Sequence, residues 1–153
     1  MIIKYNIIFF KYIFFILIFT ILSLPAHSEL SVEEIVKGRK ALFSKNYSTA
    51  KKVQTLVSKG EFKKAKTLII EMSENYKTLI EYFPENTQKG FKTDALPSIW
   101  DNKDEFNNLM KKSSNDMIEL AAVIDTTDNT KGTLGKLMWG KCKSCHTKFR
   151  ASH

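Results

Sequence analysis

The feature that most constrains this chain is a pentapeptide near its far end, Cys142-Lys143-Ser144-Cys145-His146. On a helix, residues at i, i+3 and i+4 leave from the same face, so two thiols and one imidazole would point together. Cys-x-x-Cys-His is the attachment signature of a c-type haem: the thiols add across the two vinyl groups of the porphyrin, and the imidazole binds the iron. One helical face can hold one flat macrocycle. With two cysteines and three histidines in 153 residues, chance would assemble such a pentapeptide on the order of once in several thousand chains. A structural zinc site is the alternative chemistry. Its candidates, Cys142, Cys145, His146 and His153, crowd into twelve residues with no ligand from a distant segment to tie a fold together. A redox dithiol would want a strand–helix–strand setting, and the pattern before the motif is helical.

Residues 1–28 read as a signal peptide. Lys4 and Lys11 precede an apolar run from Tyr12 to Leu24, and Ala26-His27-Ser28 offers small residues where a signal peptidase cuts. The run is short for a membrane-spanning helix; counting Ile7 to Phe10 as well leaves an uncleaved anchor as the alternative. Either way the expected address is the periplasm, and residues 29–153 form one domain. From Glu29 onward, 22 basic residues (the 24 of the whole chain less Lys4 and Lys11) stand against 16 acidic ones, a net charge of +6. A basic surface can steer acidic redox partners. The lysines are scattered, however, with no compact block and no nucleic-acid motif, so a solvated surface is the simpler reading and nucleic acid is excluded as a partner. Both cysteines sit in the motif, so no disulfide framework is available.

Four helical segments and no convincing strand are expected. The first opens on the capping box Ser31-Val32-Glu33-Glu34 and carries Ile35, Leu42, Tyr47, Val53 and Leu56, with Val36, Phe43 and Val57 beside them, to a stop at Lys59-Gly60. The second runs from about Glu61 to Phe83 with Phe62, Ala65, Leu68, Ile69, Met72, Tyr76, Leu79 and Ile80 on one face, stopped by Pro84. A long connection, Glu85 to Ser98, leads to Trp100, read as an anchor that docks the crossover. The third follows Asn102, with Glu105 as its capping partner, and the fourth carries Leu134, Leu137 and Met138 into the cysteine motif across Gly132, Gly135 and Gly140. Short, long and short connections between amphipathic helices give an all-α, up-down-up-down antiparallel four-helix bundle with a cofactor in its core near one end.

These residues resemble the cytochrome c-prime family. The likeness runs through Arg39-Lys40-Ala41-Leu42-Phe43, Lys59-Gly60-Glu61, Leu96 to Trp100, and the ending Cys-x-x-Cys-His-x-x-Phe-Arg. It implies one covalent haem c, with Cys142 and Cys145 as thioether anchors, His146 as the fifth iron ligand, Arg39 near a haem propionate and Arg150 beside the proximal imidazole. Without the resemblance, Arg39 reads as a solvated side chain and Arg150 as a cation favouring the last helical turn. The family's sixth-ligand position falls on Phe43, which has no lone pair to donate. The resemblance therefore implies a five-coordinate, high-spin haem in an apolar pocket without hydrogen-bond donors. Such a protein would bind diatomic gases such as NO and CO, pass single electrons to redox partner proteins, or both. Six-coordination by a methionine, making a low-spin electron carrier, is the alternative; Met72, Met110, Met117 and Met138 exist but miss the ligand position. No acid–base group beside Phe43 suggests an enzyme, and a homodimer through the first two helices is compatible with the family.

Overall fold

The computed structural model describes residues 29–152. The expected signal peptide, residues 1–28, lies outside the described residues, as does His153.

Helix α1 (Val32–Ser58) begins as its sequence demands. The Glu34 amide donates to Ser31 Oγ, and Glu34 Oε2 accepts from the Ser31 amide, closing the capping box. It ends on Gly60 in the left-handed region (φ 72). There the Glu61 amide reaches back to Leu56 O and the Gly60 amide to Val57 O, which satisfies the last free carbonyls of the helix. Helix α2 (Phe62–Leu79) starts at once and tightens into a 3-10 turn, Ile80–Tyr82, before Pro84.

The crossover contains a short helix α3 (Ser98–Asp101) and three successive left-handed residues, Gly90, Phe91 and Lys92. Trp100 anchors it as expected: the ring is buried and Nε1 donates to the carbonyls of Phe83 and Pro84. Helix α4 (Lys103–Val123) follows. The capping pair expected at its start does not form: Asn102 accepts no hydrogen bond from the helix amides, its side chain turning back to donate from Nδ2 to Ser98 O, and Glu105 pairs with Lys148.

The fourth segment is interrupted. Helix α5 (Thr130–Leu134) passes into a π-helical turn, Gly135–Trp139, and helix α6 (Cys142–Phe149) carries the motif. Gly140 is required here, since a Cβ on it would stand 2.5 Å from Lys136 O. Gly135 faces open space, and Gly132 packs against the Asn129 side chain that caps α5.

Helix α2 packs along both α1 and α4, and the π turn leans on α4. The result is the four-helix bundle read from the sequence, and the only β feature among the described residues is one antiparallel bridge, Ala95 to Arg150. The core divides in two. One cluster joins Val53, Ile69, Met117, Leu120 and Leu137 across all four segments. The other, near the crossover, is built of Leu79, Phe83, Trp100, Phe106 and Phe149; Phe106 meets Phe83 and Phe149 edge to face at 4.6 and 5.5 Å between centroids, and Trp100 lies tilted on Phe83 at 5.9 Å.

The inward row of α1 differs from the expected one. It runs through Val36, Arg39, Asn46, Ala50, Val53 and Val57, and Tyr47 is 56% exposed. The hydrophobic pattern misplaced the row because two of its inward positions are polar.

Candidate functional site

Between the two clusters lies a cavity of about 630 Å³, walled by Arg39, Phe43, Asn46 and Ala50 of α1, by Met72 and Tyr76 of α2, and by Cys142, Cys145 and His146 of α6. Trp139, Phe149 and Arg150 also border it. The volume is that of a site for a cofactor-sized ligand. All six residues singled out from the sequence (Arg39, Phe43, Cys142, Cys145, His146 and Arg150) meet on this one cavity.

The ends of α6 are positioned from outside the helix. Beyond its last turn the chain turns extended and is clasped to the crossover: the Leu96 amide donates to Phe149 O, the Ala151 amide to Asp94 O, and Ser98 Oγ to Lys148 O at 2.6 Å. Arg150 is consequently not in the last helical turn but in the extended residue that caps it.

Burial pushes the Cys145 thiol up to about 11, with the neighbouring Cys142 adding to the shift, and burial also raises Cys142. Both are therefore protonated at neutral pH, the opposite of the acidic thiol that a redox dithiol needs. They form no disulfide. Burial and the Arg150 charge hold His146 below the ordinary imidazole value, so its ring is neutral and keeps a lone pair free. Among the described residues no group of His, Cys, Asp and Glu side chains is assembled to hold a bare metal ion.

Arg39 is only 2% exposed, which overturns its reading as a solvated side chain. Its guanidinium donates to Tyr82 O (3.3 Å), Thr87 Oγ1 (3.0 Å), Thr87 O (3.0 Å) and Thr93 Oγ1 (2.5 Å), and lies 4.7 Å from the Phe83 ring centroid. Burial alone lowers it to about 10. Every hydrogen-bond acceptor it has is neutral, an expensive arrangement for a buried charge. A carboxylate-bearing ligand in the cavity would supply the missing anion.

Phe43 is half-buried on the cavity wall, edge-on to Phe83 at 6.4 Å. Met72 and Met138 reach the wall; Met110 and Met117 do not.

The pocket is not free of hydrogen-bond donors, contrary to the expectation from sequence. Asn46 Nδ2 and Trp139 Nε1 are buried without a partner, and both residues line the cavity. Nothing in the sequence marks them, because a single asparagine or tryptophan in a helical pattern has no signature spacing. The only hint was that position 46 falls on the row through 39, 43, 50 and 53.

The cavity therefore offers two thiols and a neutral imidazole from one helix, a buried guanidinium whose hydrogen-bond acceptors are all neutral, and apolar and aromatic walls. That set fits a porphyrin with acidic side arms.

A family model described as Cytochrome C' matches residues 34–150. The chain is similar to a cytochrome c' of Rhodopseudomonas palustris, with 29% identity over 122 residues, covering 77% of this chain and 82% of that protein. The solved structure of cytochrome c' from the same organism superposes with a TM-score of 0.65 at 29% identity, over 77% of this chain and 96% of that one. A mutant cytochrome c prime from Alcaligenes xylosoxidans, solved as its nitric oxide complex, shares the fold with a TM-score of 0.67 at 21% identity, over 82% of this chain and 100% of that one.

Proposed function

The chain belongs to the cytochrome c' family, whose members carry haem c covalently, and on that premise we propose that it is a periplasmic gas-binding and electron-carrying protein with one open iron position. Cys142 and Cys145 form the thioether links, His146 binds the iron, and Arg39 pairs with a propionate. When bound, the haem supplies an iron that changes oxidation state by one electron and accepts a small ligand at its sixth position.

The protein's own residues set the rest. The neutral His146 ring needs no deprotonation to coordinate. Arg39, held by four neutral acceptors, is preorganised for a carboxylate. Phe43 walls the cavity with a ring that cannot coordinate, so it admits small ligands and excludes bulk.

The observation that carries this reading is that Phe43 and the Cys142–His146 set border one cavity. The nitric oxide complex of the Alcaligenes xylosoxidans relative supports the ligand class. A six-coordinate electron carrier is the second reading, favoured by Met72 and Met138 on the same wall.

Optical spectra of the purified haem protein, oxidised and reduced, with and without NO and CO, separate the two. A broad high-spin Soret band that shifts with NO and CO supports the open position. Sharp α and β bands indifferent to CO would replace it with methionine ligation. A protein without a haem band, from a host able to export and mature it, would overturn both.

A further inference from the structure

Asn46 lies one helical turn beyond Phe43 on α1, 3% exposed, on the cavity wall. Its amide is oriented from behind: Asn75 Nδ2 on α2 donates to Asn46 Oδ1 at 2.8 Å. With the oxygen engaged, the Nδ2 group is the free end; one of its two N–H groups acts on the Tyr76 hydroxyl, and the other has no acceptor. Buried polar groups nearly always have one. Leaving this donor bare would cost about 1–3 kcal/mol.

A porphyrin alone does not resolve this. Its hydrogen-bond acceptors are its two propionates, both on the edge of the ring that Arg39 would mark, and seven residues of helix separate Arg39 from Asn46 by roughly 10 Å. The α1 wall and the α6 wall both border the cavity without packing extensively on each other. A group contributed by α1 therefore faces what His146 of α6 holds. Tyr76, beside Asn46, adds a second polar group: its hydroxyl is pushed up to about 12, by burial first and then by the two cysteines, with the Asn46 side chain pulling the other way. It stays protonated at any physiological pH.

We propose that the Asn46 side-chain amide donates a hydrogen bond to a small ligand at the open position, and so favours ligands whose free end is a hydrogen-bond acceptor, such as nitrite, over CO. The proposal rests on the open sixth position argued above. Asn75 is its positioning residue.

The test uses the full-length haem-loaded protein. Nitrite affinity is measured in the oxidised state, CO affinity in the reduced state, and the C–O stretch of the CO adduct by infrared spectroscopy. Asn46→Leu removes the donor but strands Asn75. The double variant Asn46→Leu/Asn75→Leu removes both partners and keeps the interior satisfied, so it guards against a folding failure. In both, nitrite affinity should fall about five- to tenfold, CO affinity should change less than about twofold, and the C–O stretch should move to higher frequency as the donor is lost. A stretch that stays fixed in both variants overturns the proposal, as does a nitrite loss matched by an equal CO loss. A stretch that moves with Trp139→Phe and not with Asn46 assigns the donor to the indole and overturns it too. A wild-type protein that forms no CO adduct overturns the open-position reading and this one together.

Discussion

Arg39 occupies a position that a helical hydrophobic pattern would give to leucine. Its four donated hydrogen bonds join α1 to the turn after α2 and to the crossover. Arg39→Leu would strand the Tyr82 and Thr87 carbonyls, and unfolding in urea should show a loss of about 2–4 kcal/mol. Arg39→Lys should recover less than half of it, because a single ammonium cannot reproduce the forked donor set. At this scale the sequence was legible where a spacing carries chemistry. Cys142, Cys145 and His146 announce themselves by their intervals, and the structure brings them to one cavity. Arg39 was legible through family resemblance alone. Asn46 and Trp139 were not legible, since what sets them apart is a missing partner, and that is a property of the packed interior.

The helices were legible because caps and breakers are local. Ser31, Gly60 and Pro84 act within a few residues of themselves, and their elements start or stop where those residues direct. Asn102 failed as a cap, its side chain turning back to the Ser98 carbonyl. The π turn was hidden too: a change from i+4 to i+5 bonding leaves the apolar pattern of Leu134, Leu137 and Met138 intact. The three glycines of the segment, alike in sequence, should therefore behave differently. Gly135→Ala meets nothing within 4 Å and should raise the thermal midpoint, with a gain of about 0.5–1 kcal/mol. Gly140→Ala should lower stability by about 1–3 kcal/mol, because its methyl would press on Lys136 O, and should also perturb the haem spectrum by moving Cys142. Equal effects of the two alanines in a calorimetric scan would mean that the π turn does not govern the motif.

Across the whole molecule, both clusters of the core border the cavity, but Val53, Ile69, Met117 and Leu120 of the first stand away from it. Without its cofactor the molecule should come apart unevenly. In a Cys142→Ala/Cys145→Ala variant, amide exchange should be fast through residues 140–150, while amides near Ile69 and Leu120 keep most of their protection. Uniform loss along the chain would show a single cooperative unit instead. The ion pairs matter less at this scale: Lys148–Glu105, Lys45–Glu71 and Lys37–Glu33 are solvent-exposed. Raising the salt concentration to about 1 M should shift stability by less than about 1 kcal/mol.

The clasp between residues 94–98 and 148–151 consists of two backbone hydrogen bonds and one from a serine hydroxyl. These hydrogen bonds alone are cheap to undo beside the bundle they fasten. Undoing the clasp, and drawing the buried Phe149 ring off Phe106, frees the strip that bears both sulfurs. The fold thus does not dictate an order of manufacture.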